Sequence, residues 1–270
     1  DEFQEVLQQS VSITGDPQVH IHTDYFGNEV GTFTHSQPHQ ELTINSRLIV
    51  VTKLRVHPED TMSSEEQNKE LLRLKSQPEF IDFLKQERFD AYQEMNKIVE
   101  AERCKNCTPL VSAREFCDYV FNNFVYKKGI TTVESTLDEV WRIKSGVCQD
   151  FAHILLVMLH SINIPARYVS GYICPNKSGM RGEGATHAWV EAYIPFYGWL
   201  GLDPTNNCVV NDAHVRLAVG KNFSDCSPVK GTYRGTSNHS LEVAVSVSYE
   251  DGHTSEGISE VVEPELIVSY

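Results

Sequence analysis

Gly146-Val147-Cys148-Gln149-Asp150-Phe151-Ala152-His153 is the stretch from which the fold is read. Gly146 permits a tight turn, and from Phe151 onward Ile154, Leu155, Met158, Leu159 and Ile162 recur at helical spacing on one face. The pattern predicts an amphipathic helix over 149–162 that Pro165 ends, with Cys148 at its N-terminus. Unsatisfied N–H groups and the positive dipole end there favour a thiolate, by a fraction of a kcal/mol and up to ~2 kcal/mol when partly buried. The competing reading is a small buried cysteine at a turn. Gly146 before it and the polar Gln149-Asp150 after it favour the reactive one.

Two helices are expected upstream. Ser112 is a candidate cap for one carrying Phe116, Val120 and Phe124, and Thr136-Leu137-Asp138-Glu139 has capping-box form ahead of Val140, Trp141 and Ile143. Beyond Pro165 the period changes to two. Strands are expected over 166–173, 187–194 and 199–203, with Gly179, Gly182 and Gly184 in the first connection and a turn at 195–198 in the second. The core is therefore α+β, a cysteine-bearing helix packed on an antiparallel sheet.

Acyl chemistry on a thiol needs a base or cation beside it and donors for the developing oxyanion. Eleven histidines compete for the first role. His153 and His160 share the cysteine's helix, but His153 lies about 140° round the axis from Cys148. His187 is the better partner: it opens a strand just beyond the glycine loop, with Trp189 on its own face and Ala188 and Val190 on the other. Alone, a strand histidine is more often a satisfied surface residue.

Asp203 ends the next strand, before Pro204. A symmetric four-residue loop at 195–198 would put it on the wrong face. A three- or five-residue connection, or one bulge, pairs 189 with 203 and sets Asp203 on the diagonal from His187, ~7–8 Å away between backbones. The odd connection is therefore expected. Asp203 would then hold the ring's Nδ1–H and turn Nε2 toward the thiol; by itself it also reads as a turn former before proline.

Composition narrows the partners. Of 270 residues, 40% are hydrophobic and 22% charged, an ordinary globular mixture. A net charge of −14 argues against nucleic acid as the main ligand. Nowhere do eighteen apolar residues run together, so no membrane span is expected. The chain opens Asp1-Glu2-Phe3-Gln4, without a signal pattern and without an initiator Met. Seven scattered cysteines suggest reduced thiols in a cytoplasm rather than a disulfide scaffold.

Gly146-Val147-Cys148-Gln149-Asp150-Phe151-Ala152-His153, Asn163-Ile164-Pro165-Ala166-Arg167, Tyr168-Val169-Ser170-Gly171-Tyr172, Thr186-His187-Ala188-Trp189-Val190-Glu191 and Gly201-Leu202-Asp203-Pro204-Thr205 together resemble the transglutaminase-like superfamily, specifically its bacterial cysteine-protease branch. The resemblance covers about residues 110 to 235, including His214-Val215-Arg216 and Pro228-Val229-Lys230-Gly231. Asp24-Tyr25-Phe26-Gly27-Asn28 and Pro38-His39-Gln40-Glu41-Leu42 look like that branch's N-terminal β region. It implies a papain-like core with Cys148 as nucleophile, His187 as base and acid, Asp203 as orienter, no cofactor, and further strands upstream of position 1. Helix-terminus N–H groups are the natural oxyanion donors; Gln149, Trp141 and Trp189 are the side chains expected to meet substrate.

The remaining features carry less. Cys104-Lys105-Asn106-Cys107 has metal or redox spacing but no second ligand pair, so two plain thiols are expected over zinc or a disulfide. Cys174 and Cys208 are given no role. His20, His22, His35 and His39 read as surface residues rather than a metal face. The glycines at 179–184 lack the Lys-Ser/Thr of a phosphate loop, and the acidic run from Glu65 to Glu70 is a solvated helix face. The expected organisation is an N-terminal β region (1–58), a helical connector (59–108), the catalytic core (109–235) and C-terminal strands (236–270), the last from the alternation of Leu241, Val243, Val245 and Val247 and the run Leu266-Ile267-Val268.

The function expected is thiol-dependent acyl transfer on a peptide or protein amide, without metal or organic cofactor. Hydrolysis gives a peptidase or deamidase; an amine acceptor gives a transamidase. The alternative is a non-catalytic module holding a peptide in a papain-like cleft, and a third is acyl transfer from an acyl-CoA. Substrate identity and oligomeric state stay open.

Overall fold

The computed structural model describes residues 2–102, 106–132, 135–174, 180–181, 186–235, 240 and 242–249. The chain begins with four strands, β1 (Gln4–Ile13), β2 (His20–Thr23), β3 (Glu29–Thr32) and β4 (Ile44–Thr52). β1 pairs antiparallel with β4, and β2 with β3. Helices α1 (Ser64–Leu74), α2 (Pro78–Ile81), α3 (Tyr92–Glu102) and α4 (Pro109–Asn123) follow. Then come β5 (Val125–Tyr126), α5 (Leu137–Ile143), β6 (Ser145–Gly146) and α6 (Cys148–Ser161). The last strands are β7 (Ala166–Ile173), β8 (Thr186–Ile194), β9 (Gly198–Asp203), β10 (Cys208–Val209) and β11 (His214–Gly220). No helix among the described residues is long and apolar enough to cross a membrane.

The architecture is the expected α+β papain-like arrangement. The five-stranded sheet has order β10-β9-β8-β7-β11, every neighbour antiparallel. Against it lies α6, where Phe151, Leu155, Met158 and Leu159 are fully buried together with Ala188, Val190 and Ala192 of β8. The expected one-sided stripe understates this helix: Ala152, Leu156 and Val157 are buried too, because α3, α4 and α5 cover the face the sheet does not. It is a core helix rather than an amphipathic one.

Local signals set several ends. Thr136 caps α5 in a capping box with Glu139, and Ser63 does the same for α1 with Glu66. Ser112 does not cap α4; that helix starts one turn earlier, with Thr108 accepting from the Val111 N–H and Pro109 at its first position, and Ser112 is buried within it. Residues 59–102 do more than connect. Leu71, Leu74, Phe80, Phe89, Met95 and Val99 belong to the same buried cluster as α6.

Two expectations fail here. Over residues 242–249 no strand forms beyond a single bridge residue at Ser248, since alternation yields a strand only where an edge is free to pair; Leu241 and Leu266-Ile267-Val268 lie outside the described residues, as do Gly179, Gly182 and Gly184. Cys107 is disulfide-bonded, not a plain thiol. Cys117, Cys148, Cys174, Cys208 and Cys226 are free. One disulfide removes the argument that uniformly free thiols would make for a reducing compartment.

The N-terminal strands dock on the sheet's outer edge through side-chain amides. Gln4 donates Nε2 to the Arg216 carbonyl at 2.8 Å and accepts the Arg216 N–H on Oε1 at 2.8 Å. Asn28 repeats the pattern on Val219, both bonds at 2.8 Å. Each amide imitates a neighbouring peptide unit, so β11 is a blunted edge. Phe26 of the same hairpin packs against a second buried cluster, Val169, Trp189, Val210 and Val219, on the sheet face turned away from α6.

Candidate active site

The turn that presents Cys148 is built by Asp150. Its Oδ2 accepts from the Val147 N–H at 2.8 Å and from Thr131 Oγ1 at 2.7 Å, which ties the start of α6 to the 131 loop. Burial raises its carboxyl above the ordinary range, partly offset by those two bonds and by His153. A Cβ at Gly146 would collide with this carboxylate, so the glycine is required by close approach. Cys148 is half-buried at the first position of α6.

The connection between β8 and β9 is the odd one. Ile194 pairs with Gly198 across a three-residue loop, and Val190 pairs with Leu202. This register carries Asp203 to the diagonal of His187. His187 Nε2 lies 2.9 Å from Asp203 Oδ2, and both side chains are fully buried. The thiol of Cys148 is the ring's other polar neighbour. The ring is therefore turned opposite to expectation: Asp203 takes Nε2 rather than Nδ1. A carboxylate reaching from the adjacent strand meets the outer ring nitrogen, which leaves Nδ1, buried and without a well-formed hydrogen bond, for the sulfur.

Charge follows from this geometry. Burial would pull His187 down, but the Asp203 carboxylate, its hydrogen bond and the Cys148 contact outweigh it and push the ring up to about 10. Burial would raise Asp203, yet His187 and then His214 hold it far below the usual carboxylate range. An imidazolium is thus fixed beside the thiol, the arrangement that favours a thiolate nucleophile.

Three neighbours escaped the sequence reading. His214, first residue of β11, brings Nε2 to 3.3 Å from the same Asp203 oxygen. Only the pairing of β7 with β11 brings it there, and no local signal marks it. Asn206 donates Nδ2 to Asp203 Oδ2 at 2.7 Å, while the N–H groups of Thr205 and Asn206 reach Oδ1 at 2.9 and 3.3 Å. This is an Asx turn, which the Asp203-Pro204-Thr205-Asn206 run could have signalled. Gly171 lies under the Trp189 ring, where a Cβ would strike both that ring and the Val215 carbonyl. Among the described residues, His187, Asp203 and His214 are the one group whose metal-type donor atoms converge, all within 4.8 Å.

Of the side chains expected to meet substrate, two are misassigned. Trp189 is wholly buried and packs beside His187 and edge-on to His214, with centroids 6.3 and 5.3 Å apart. Trp141 is buried between Phe89 and Phe124 and donates Nε1 to Glu94 at 3.1 Å, so that N–H is committed. Aromatic identity marks core and cleft alike. Gln149 stays half-exposed beside Cys148. His153 is turned away from the thiol as expected, accepting the Phe223 N–H at 3.1 Å.

A family model described as "Transglutaminase-like superfamily" matches residues 100–204, and "Bacterial transglutaminase-like N-terminal region" matches residues 1–51. An uncharacterized protein of Mycobacterium leprae is 33% identical over 239 residues, 83% of this chain and 80% of that protein. An uncharacterized protein of Mycobacterium tuberculosis is 36% identical over 149 residues; the match spans 52% of this chain and about half, 48%, of that protein's length. Among solved structures, "The Crystal Structure of a Putative Cysteine Protease from Cytophaga hutchinsonii" superposes with a TM-score of 0.63 at 21% identity, covering 84% of this chain and 74% of that one.

Proposed function

This chain belongs to the transglutaminase-like superfamily, and from that premise we propose that it is a thiol-dependent acyl-transfer enzyme acting on peptide or protein amides through a thioester on Cys148. One observation carries the reading: the buried His187 ring has Asp203 on one nitrogen at 2.9 Å and the Cys148 thiol as its other partner.

In this mechanism the Cys148 sulfur attacks the amide carbon, and the C=O electron pair moves onto oxygen. The Cys148 and Gln149 N–H groups lie in the first turn of α6, where no preceding carbonyl can take them, and are the oxyanion donors. The His187 imidazolium gives its proton to the leaving nitrogen, the C–N bond breaks, and a thioester remains. The ring, now neutral, takes a proton from water or an amine as that nucleophile attacks the thioester, which frees the sulfur and restores the imidazolium. Asp203 keeps its charge throughout and holds the ring in place.

The test is mass spectrometry of a peptide mixture incubated with the protein, with and without a primary amine, beside Cys148→Ala. Cleavage, a Gln-to-Glu mass shift or an amine adduct, each abolished in the variant, names peptidase, deamidase or transamidase. Products that persist in Cys148→Ala would overturn the thioester on Cys148, and none with any peptide would leave the non-catalytic peptide-binding module.

A further inference from the structure

Asp203 carries more donors than it needs to be held still. Its Oδ1 accepts from the Thr205 and Asn206 N–H groups, and Asn206 Nδ2 adds a bond to Oδ2. Those three contacts from its own turn fix the carboxylate's orientation. His214 arrives from another strand on the same Oδ2 that His187 uses, at 3.3 Å against 2.9 Å, and is equally buried. A second imidazole on that oxygen is redundant for orientation but not for charge: each N–H donor reduces the negative potential the other feels.

The ring of His214 is itself oriented. Its Nδ1 lies 3.3 Å from the Asn211 N–H and 3.1 Å from Asn211 Oδ1, and Trp189 packs edge-on against it. Asn211 offers Nδ1 both an acceptor and a donor and so steadies the ring in either state; what places a hydrogen on Nε2 is Asp203, whose carboxylate can only accept. His214 is thus a donor to Asp203 through Nε2, in a ring that Asn211 and Trp189 hold in place.

We propose that His214 is a positioning residue of this site, acting through Asp203: its Nε2–H shares the oxygen that holds His187 and so limits how tightly that carboxylate keeps the His187 proton. The inference rests on the thiol reading above. Without the His214 hydrogen bond, Asp203 grips the imidazolium more strongly, and the ring becomes a poorer acid toward the leaving amine. The ionisable groups facing this pair are Cys148 from α6 on His187, and Cys117 from α4 and Cys208 from β10 on Asp203. Burial pushes Cys117 well above the ordinary thiol range and Cys208 up to about 12, so both stay protonated over most of the range tested.

The experiment follows the rate of Cys148 alkylation by iodoacetamide from about pH 4 to about pH 11, by peptide mapping, in the unmodified chain, His214→Gln and His214→Asn. A Gln amide nitrogen can stand where Nε2 stands and keeps the donation to Asp203; Asn retains a group opposite Asn211 but falls short of Asp203. The unmodified chain should show two steps, the second where the imidazolium loses its proton. We expect that second step to move up by about half a unit or more in His214→Asn and to stay in place in His214→Gln. An Asn profile that superimposes on the unmodified one, or equal shifts in both variants, overturns the proposal. A single ordinary-thiol step in the unmodified chain overturns the thiol reading along with it, before any variant is compared. Independently of variant folding, nitrogen NMR of the imidazoles should find a hydrogen on His214 Nε2; a bare Nε2 sinks the idea.

Discussion

His187 and Asp203 meet at 2.9 Å with both side chains fully withdrawn from water. The pair has a definite signature in stability against pH. His187 is held up at about 10 against an ordinary 6.5, so its contribution is fully present below 6.5 and is lost as pH rises through the window between the two. Asp203 is shifted down, so its contribution is present above its ordinary 3.8 and lost only in strong acid. Thermal melts of the unmodified chain should therefore fall away between about pH 6.5 and about pH 10 more steeply than those of His187→Gln. Lys144, which burial lowers to about 8, tilts both curves the opposite way and cancels in the difference. Parallel curves would contradict the buried ion pair.

Free thiols should label in a fixed order. Burial raises Cys117, Cys174, Cys208 and Cys226, the last two to about 12. With limiting iodoacetamide near neutral pH, Cys148 is expected to be alkylated at least tenfold faster than any of those four, because thiolate fraction and access set the rate. Asp203→Asn should erase most of that advantage.

Gly171→Ala should be among the most damaging single-methyl additions. The new Cβ would run into the Trp189 ring and the Val215 carbonyl at once. A cost of ~3 kcal/mol is expected from urea midpoints at unchanged slope. Trimming Trp189 to Leu should not rescue it, since the backbone carbonyl stays where it is.

Asp150→Ala removes the acceptor for the Val147 N–H and the Thr131 hydroxyl in one step. It should cost ~1–2 kcal/mol and slow Cys148 alkylation, while Asp150→Asn, which keeps an acceptor oxygen, loses less of both. Equal losses in the two variants would show that charge rather than the cap matters there.

The amide clamps on β11 are open to hydrogen exchange. Val219 gives its N–H to Asn28 and Arg216 gives its N–H to Gln4. Asn28→Ala should lower protection of the Val219 amide by ~1 kcal/mol, and Gln4→Ala that of Arg216, with interior β8 amides unaffected. A spread of lost protection into β8 would mean the N-terminal strands support the whole sheet.

Where periodicity was strong, the amino-acid sequence was enough. The apolar spacing from Phe151 onward marks α6 and places Cys148 at its head, the alternation after Pro165 marks β7, β8 and β9, and the capping box at Thr136–Glu139 starts α5. Even the odd β8–β9 connection follows from face parity, because side chains alternate strictly along a strand. What local pattern does not encode is which distant group arrives at a given atom. His214 reaches Asp203 only because β11 crosses back to pair with β7, the His187 ring offers Nε2 rather than Nδ1 because of the direction from which Asp203 approaches, and Trp141 and Trp189 are core rather than cleft because helices and a glycine close over them. Neighbours along the chain decide helix and strand; contacts across the sheet decide how charge is shared, and those exist only once the chain has folded.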